Sequence, residues 1–467
     1  MGRRVVVVLC AGLLALVGAG RASAFSRQDL PPLRMSDQVE LATTLYTPDA
    51  PGTHPAIVMF HGLGGKRQDL DAIASRFASS FVVLTVDMRG HGHSQGLVSV
   101  DGPREIQDVR EIYAFVAALP SVDHTAIGAW GLSLGGGAVL RSLVEGVPWA
   151  AVETVQTWTD LYSALAPQNL SKSGAIYQLL NAVPPERIDP AVKAIEQDAI
   201  ASKNLPALRA FAAARSSRPL LSQVHTPVLM AQGRRDFAFD IDQATAGYRL
   251  LKGPKQLLVG DFGHSPSTFP GPDYDAVVAA DMSWFIRWLL HTPLRPYSPI
   301  ALSPDPWRGK LRPYKKLPST RVAHVSFGGT NTVTGIAKAV RSTGRTHTAL
   351  ETFGAGRLHL TAQLSGGWER LVAVLTATTR KHKTIVVSDG GVNTTGHSGR
   401  RKLTIRLISD ATLIPSGSRL TLTLASSSMA QDPGNLLYLD LPQPPGAKVR
   451  IGPARLDLPV LRKPISR

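Results

Sequence analysis

Three residues far apart in this sequence have the types and the order that activate a hydroxyl group for attack on a carbonyl carbon. The first, Ser133, lies in Gly131-Leu132-Ser133-Leu134-Gly135, between the apolar run 126–130 and a small-residue segment compatible with a helix. A strand, a sharp turn and a helix in this order form a nucleophile elbow, whose glycines leave room for a strained serine. The pattern predicts that Ser133 is a nucleophile beside a helix N-terminus, where an oxyanion can be stabilised.

The second and third residues are an acid and a base. A serine hydroxyl needs a neighbouring base, and that base must be oriented by an acid. Behind such an elbow the chain order is serine, acid, histidine, with the last two after later strands. Asp236 follows the apolar run 228–231 and His264 follows the run 256–259, so we predict these two as acid and base. Asp240 and Asp242 remain alternative acids, although they fit better on the following helix.

An oxyanion needs two hydrogen-bond donors. We expect one from the N–H of Leu134 and the other from the N–H of Leu63, in the glycine-rich segment after the apolar run 56–60. Trp158 and Tyr162, with Tyr177 as a further candidate, are proposed to line the substrate pocket, and ordinary packing within the cap is the alternative interpretation.

A metal site is an alternative interpretation of Asp87, His91 and His93, which lie close together in sequence. A glycine-rich turn at the edge of the sheet fits their spacing better. We therefore predict neither a metal nor any other cofactor.

The elements around these residues indicate an α/β fold. Apolar runs of strand length alternate with helical stripes up to residue 155, which predicts a parallel sheet covered by helices on both faces. Residues 159–222 are largely helical in character and are expected to form a cap inserted over the site. The strands resume at 228–231 and 256–259, and a helix over 275–290 is expected to close a catalytic domain spanning 25–292.

The composition and the hydrophobic pattern of the sequence change after this domain. Residues 293–317 are rich in proline and are predicted to be a linker. Beyond them, residues 358–363, 402–407 and 420–424 alternate between apolar and polar, which is typical of strands with one buried face. Residues 318–467 are therefore predicted to be an all-β sandwich or jelly-roll domain.

The N-terminal residues have the pattern of an export signal. Arg3 and Arg4 precede the apolar run 5–17, and Ala22-Ser23-Ala24 has the small residues of a cleavage site. We predict a signal peptide over residues 1–24 and a secreted or cell-envelope location in a bacterium. The single cysteine, Cys10, lies inside this signal, so the mature protein is expected to form no disulfide.

Charge is divided unevenly between the two domains. The chain carries a formal net charge of +17, yet residues 25–294 sum to −4 and residues 295–467 hold 26 Lys/Arg against 8 Asp/Glu. The basic residues are dispersed, with few aromatics among them, which argues against nucleic acid as a partner. An anionic cell-wall or membrane surface is the candidate partner of the basic domain, and a basic surface that serves only solubility is the alternative.

Several motifs together resemble the peptidase S15 family of α/β-hydrolases, which contains Xaa-Pro dipeptidyl-peptidases and cocaine-esterase-like enzymes. They are residues 61–65 (HGLGG), 87–94 (DMRGHGHS), 131–136 (GLSLGG) and 158–161 (WTDL). Residues 333–335 and 415–426 are similar to the galactose-binding-like jelly-roll domain of that family. The resemblance implies a triad of Ser133, Asp236 and His264, with the C-terminal domain forming a wall of the site.

One difference between this sequence and the family helps to distinguish between the possible reactions. Its dipeptidyl-peptidases and cocaine esterases use the tyrosine of a Pro-Tyr motif as an oxyanion donor, where this sequence has His61-Gly62-Leu63. Backbone donation and the lack of a recognisable acidic pair for a free N-terminus favour hydrolysis of a carboxylic ester. Xaa-Pro or other peptide hydrolysis is the alternative within the class, and a non-catalytic cell-surface binding protein is the alternative outside it.

Overall fold

A computed structural model describes residues 24–292, 294 and 298–466. The predicted signal peptide lies outside these residues, apart from its last position, Ala24. None of the described helices is both long enough and apolar enough to cross a membrane.

The first domain is built on a ten-stranded sheet in the order β1-β4-β6-β5-β7-β8-β9-β10-β11-β12, and β2 and β3 pair separately. In this sheet order, the strands β6, β5, β7, β8, β9, β10 and β11 are parallel to one another. Their continuous apolar runs suit burial on both faces. The strands are β1 (Phe25–Asp29), β2 (Leu33–Arg34), β3 (Glu40–Leu41), β4 (Thr43–Pro48), β5 (His54–Phe60), β6 (Val82–Val86), β7 (Val122–Leu132), β8 (Ala151–Val155), β9 (Val228–Gly233), β10 (Lys255–Gly260), β11 (Ile300–Leu302) and β12 (Arg312–Tyr314).

Helices cover both faces of this sheet. Helices α2, α3 and α8 pack into one apolar cluster, while α1 and α9 pack into a second cluster on the other face. The helices are α1 (Asp71–Phe77), α2 (Pro103–Ala117), α3 (Leu134–Val144), α4 (Leu161–Leu165), α5 (Ser173–Leu180), α6 (Pro190–Ala201), α7 (Leu205–Ala213), α8 (Ile241–Leu250) and α9 (Tyr274–Leu289). Short 3₁₀ helices span Arg67–Leu70, Pro167–Asn169, Pro185–Arg187 and Arg218–Gln223.

The predicted α/β sheet with an inserted helical cap is confirmed. Helices α4 to α7 lie between β8 and β9 in the chain and enclose a cavity whose floor includes Ser133. The cap therefore covers the carboxyl ends of the parallel strands, where sites form in such sheets.

The predicted proline-rich linker is wrong over part of its length. Within 293–317, strand β11 adds to β10 in parallel, and β12 pairs antiparallel with β11. Ile300-Ala301-Leu302 is a short apolar run that the sheet can bury, and Pro313 is tolerated because β12 is an edge strand. The first domain thus extends beyond residue 292.

The second domain is entirely antiparallel, with the main path β13-β23-β17-β20-β19-β18-β22-β15. Strands β19 and β20 are joined at only one residue pair, and the strands on either side of this junction share one apolar core. The all-β class is confirmed, whereas the jelly-roll topology stays a prediction. The strands are β13 (Thr320–Phe327), β14 (Asn331–Thr334), β15 (Ala339–Arg345), β16 (Leu350–Glu351), β17 (Gly354–Ser365), β18 (Arg370–Thr378), β19 (Thr384–Asn393), β20 (Gly399–Asp410), β21 (Leu413–Ile414), β22 (Arg419–Ala425) and β23 (Lys448–Leu461).

A buried ion pair joins the two domains. Arg234, directly after β9, contacts Glu351 at 2.7 Å, and both side chains are almost fully buried. Arg234 Nε also donates to the carbonyl of Ala411 at 2.7 Å, and Glu351 accepts from the N–H of Ile465 at 2.7 Å. These additional hydrogen bonds offset the cost of burying two charges.

The core of the first domain contains two buried acids close together, and they predict a pH-dependent stability. Burial, followed by the proximity of Asp281, raises the pKa of Glu153, and burial raises the pKa of Asp281 to about 7. An acid whose pKa is raised on folding stabilises the protein below its unfolded pKa and loses that contribution as the pH rises. We therefore expect the free energy of unfolding of the wild type to fall between about pH 4 and pH 7.

The variant Asp281→Asn removes one of these titrations, so its fall over that pH range should be smaller by about 1–3 kcal/mol. Urea unfolding at several pH values measures this difference. Asp275→Asn, an exposed position on the same helix, is the control. Parallel profiles for wild type and Asp281→Asn would contradict the prediction.

Candidate active site

Ser133 occupies a strained turn between β7 and α3. Its backbone has φ 53° and ψ −111°, a conformation that non-glycine residues rarely adopt. Three hydrogen bonds hold the turn: Ser133 N–H donates to Val155 at 2.9 Å, and the Ser133 carbonyl accepts from Gly137 N–H at 3.0 Å and from Thr157 Oγ1 at 2.7 Å. Surrounding structure of this kind lets such a conformation persist.

The flanking glycines are required by close backbone packing. A Cβ on Gly131 would lie 2.2 Å from the carbonyl oxygen of Gly135, and one on Gly135 would lie 2.3 Å from that of Phe60. Neither distance is possible without moving a strand or a helix. The steric reason for the glycine spacing is therefore present in the fold.

The structure brings the three predicted side chains together. Ser133 Oγ lies 3.0 Å from His264 Nε2, and His264 Nδ1 lies 2.7 Å from Asp236 Oδ2. With the aspartate ionised, Nδ1–H donates to Asp236, which leaves Nε2 to accept from the serine hydroxyl. Asp236 follows β9 and His264 follows β10, so neighbouring parallel strands deliver both to one edge of the sheet.

Asp236 is fixed by its own loop. Its Oδ1 accepts from the N–H groups of Ala238 at 3.0 Å and Phe239 at 2.8 Å, and its Oδ2 accepts from His264 N–H at 3.1 Å. The alternative acids are engaged elsewhere: Asp240 caps helix α8, and Asp242 accepts from Ser409 Oγ at 2.8 Å.

The predicted oxyanion donors lie beside Ser133. Leu134 is the first residue of helix α3, so its N–H has no acceptor within the helix. Leu63 and Leu134 line the same cavity as Ser133. In the described part of the chain, no protein carbonyl accepts from the N–H of Leu63.

His61 braces the loop that carries Leu63. Its Nε2 accepts from Met88 N–H at 3.0 Å, and its Nδ1 lies 2.7 Å from the Gly62 carbonyl. Burial lowers the pKa of His61, which favours the neutral ring that these two bonds need. The ring thereby links the loop after β5 to the loop after β6.

The residues considered as metal ligands are engaged in the turn after β6. Asp87 accepts from Arg67 N–H and from His93 N–H at 2.8 Å, while burial lowers the pKa of His91 to about 4. Among the described residues, no group of three or more His, Cys, Asp or Glu side chains is arranged to hold a metal.

The cap and the elbow enclose an apolar cavity of about 110 Å³. Trp158 and Tyr162 line it, as the sequence predicts, but Tyr177 does not and is half exposed on α5. Phe239 was not foreseen. Its ring meets that of His264 edge-on at 5.1 Å and that of Trp158 at 5.1 Å. Its ring therefore contacts both the imidazole and Trp158.

Lys172 is a second residue that sequence reasoning missed, because an isolated lysine in a polar segment carries no signal. It is 1% exposed, and its Nζ donates to the carbonyl of Ala238 at 2.9 Å. Burial lowers its pKa to about 8, against the opposing influence of Asp240 and Asp236. This lysine ties the cap to the loop that carries Asp236.

Comparison with known proteins places this site in a family. Residues 37–266 match the model of X-Pro dipeptidyl-peptidases, the S15 family. This part of the chain belongs to the S15 family. The match spans the elbow, the cap, Asp236 and His264.

Individual proteins are more distant. The quorum-quenching protein AidA of Acinetobacter baumannii (strain MDR-ZJ06) is 34% identical over 138 residues, which are 29% of this chain and 45% of that protein. The alignment with this curated relative thus spans less than half of its length.

Two solved structures share the fold over nearly the whole chain. A CocE/NonD family hydrolase from Staphylococcus aureus has a TM-score of 0.71 at 14% identity and covers 94% of both chains. An α-amino acid ester hydrolase has a TM-score of 0.67 at 13% identity, covering 96% of this chain and all of the other. At such identity the likeness establishes the two-domain fold, in which an α/β-hydrolase domain is followed by an all-β domain.

The hydrogen bond from Lys172 to Ala238 predicts that the cap influences the reactivity of Ser133. Lys172→Met leaves the Ala238 carbonyl without its donor and removes one of the two cations near Asp240, the other being Arg406, so the loop that holds Asp236 loosens. We expect the rate at which a fluorophosphonate labels Ser133 to fall about 10- to 100-fold. Lys193→Met, exposed on cap helix α6, is the control and should label at the wild-type rate. Equal rates for both variants would contradict this role.

Proposed function

We propose that this protein is an exported serine hydrolase that cleaves a carboxylic ester through an acyl-enzyme intermediate. The observation that carries the proposal is the hydrogen-bonded chain from Ser133 through His264 to Asp236. Family membership supports a hydrolase, and this geometry supports the assignment of nucleophile, base and acid.

The reaction follows from these contacts. Ser133 Oγ attacks the carbonyl carbon and transfers its proton to His264 Nε2, while Asp236 stabilises the resulting imidazolium. The tetrahedral intermediate then collapses, and the imidazolium gives the proton to the departing alkoxide. A water molecule, activated by the same imidazole, attacks the acyl-serine, and its other proton stays on the released acid. Ser133 regains its proton from His264.

Stabilisation of the oxyanion is assigned to the backbone. The N–H groups of Leu134 and Leu63 are the proposed donors, because both residues adjoin Ser133 in the cavity. Removing one such donor typically costs about 100- to 1,000-fold in rate. A side-chain substitution does not remove a backbone N–H group. The donors can therefore be displaced only by changing the geometry of the loop that His61 braces.

Ester hydrolysis is preferred to Xaa-Pro peptide hydrolysis because the cavity lacks an acidic pair. Glu196, half-buried on α6, is the only carboxylate among the described residues that line it. A free N-terminus would need stronger compensation for its desolvated charge. Peptide release remains the competing activity, and a binding protein without catalysis remains the competing class.

Export and attachment to an anionic envelope surface are proposed for the basic domain. One face of the second domain carries Arg400 and Arg450 on either side of Gln363, with Lys402 opposite Thr361. The three basic side chains are exposed. Salt-sensitive retention of the protein on isolated bacterial envelopes, with a mature N-terminus at Phe25, tests this assignment. Retention that does not change with salt would contradict it.

Hydrolysis of p-nitrophenyl esters, beside an Xaa-Pro p-nitroanilide, tests the activity. We expect ester turnover that Ser133→Ala lowers by about 10⁴-fold or more. Ser283→Ala, exposed on α9, is the control and should retain full activity. Turnover of the anilide alone would support the peptidase. No turnover and no fluorophosphonate labelling of folded protein would support the binding protein.

A further inference from the structure

Two cavities meet at the reactive side chains, and they differ in size and chemistry. The first, of about 110 Å³, is lined by Ser133, Leu63 and Leu134 together with the cap. The second, of about 580 Å³, has His264 in its wall and is lined by α5 and by residues 431–437 of the second domain. We name them the acyl cavity and the alcohol cavity, respectively.

The chemistry of the proposed triad decides which half of an ester enters each cavity. The carbonyl must lie at Ser133 and at the oxyanion donors, all of which line the first cavity. The leaving oxygen must accept a proton from His264, which lines the second. An ester bond bound across the two side chains thus points its acyl group under the cap and its alcohol toward the second domain.

The acyl cavity suits a short, uncharged group. Its lining is almost wholly aliphatic and aromatic, and the polar atoms of its aromatic residues are engaged by protein. Trp158 Nε1 donates to the Arg215 carbonyl at 2.8 Å, and Tyr162 OH donates to Asn169 Oδ1 at 2.9 Å. Among the described residues, no lysine or arginine lines the cavity, so a carboxylate on the acyl group would have no partner there. A cationic acyl group would meet Glu196 as the single carboxylate of this lining.

The volume of the acyl cavity limits the acyl length. An apolar protein cavity of roughly 150 Å³ admits benzene, with its six carbons. A cavity of about 110 Å³ therefore suits roughly four to six carbons, counting the carbonyl carbon held at Ser133.

The alcohol cavity is larger and polar. Gln178 of the cap and Gln431, Asp432 and Asn435 of the second domain line it. Amide groups donate and accept hydrogen bonds and carboxylates accept them, so this lining suits a ligand that carries hydroxyl groups.

We propose that the substrate joins a short uncharged acyl group, of about four to six carbons, to a hydroxyl-rich alcohol the size of glycerol or a sugar. This inference rests on the proposed ester hydrolysis. It goes beyond that proposal in assigning each half of the ester to its own cavity.

The acyl assignment is tested with p-nitrophenyl acetate, butyrate, hexanoate and decanoate. Wild-type kcat/KM should be highest for butyrate or hexanoate. Ala199 lines the acyl cavity from α6, so Ala199→Phe should lower hexanoate turnover about 10-fold or more and leave acetate within about 2-fold. Ala194→Phe, exposed on the same helix, is the matched control and should change neither.

The alcohol assignment is tested with glycerol monobutyrate and ethyl butyrate, which share one acyl group. Wild-type kcat/KM should be higher for the glycerol ester. Gln431→Leu should lower kcat/KM for the glycerol ester about 10-fold and leave kcat/KM for ethyl butyrate unchanged. Only the glycerol ester has free hydroxyl groups that can pair with the amide of Gln431. Gln363→Leu, exposed on β17, is the control.

The outcomes separate this inference from the proposed function. Ester turnover that depends on Ser133, yet is highest for decanoate or for an α-aminoacyl ester, overturns the acyl assignment alone. Equal effects of Gln431→Leu on both butyrates overturn the alcohol assignment alone. An absence of Ser133-dependent turnover of every ester overturns the proposed function.

Discussion

The arrangement of the site depends on one steric constraint, the contact of three backbone segments at the elbow. The turn after β7 lies so close to α3 and to the end of β5 that neither Gly131 nor Gly135 has space for a Cβ. Ser133 is held at positive φ by this packing and by hydrogen bonds to Val155, Gly137 and Thr157. Its hydroxyl thereby stands at the edge of the sheet where the loops after β9 and β10 end.

The second domain contributes to the site by stabilising the loop after β9 and cap helix α5. Ser409 N–H donates to Asp240 at 3.1 Å, four residues after Asp236. Leu437 accepts from Gly174 N–H at 3.0 Å, and Leu439 N–H donates to Ser173 Oγ at 2.9 Å, which ties the all-β domain to cap helix α5. The cap is therefore held between two domains, and the alcohol cavity exists only where they meet.

Buried charge reinforces this assembly. The pair of Arg234 and Glu351 joins the domains, and Lys172 joins the cap to the loop after β9. Both lie next to the positions that deliver Asp236. Buried ions without such partners would be strongly destabilising, so these contacts favour one relative placement of cap, loop and second domain.

The sequence by itself predicted the elements and the residues of the proposed triad for which the evidence is local. The glycine spacing around Ser133, the apolar runs before Asp236 and His264, and the alternation in residues 402–407 each depend on near neighbours in the chain. The tertiary structure alone decided that residues 300–302 and 312–314 join the sheet, because a short apolar run does not reveal its partner strand. It also decided the burial of Lys172, the place of Phe239 against His264, and the division of the site into two cavities. These features arise from contacts between residues distant in the chain, which local spacing does not encode.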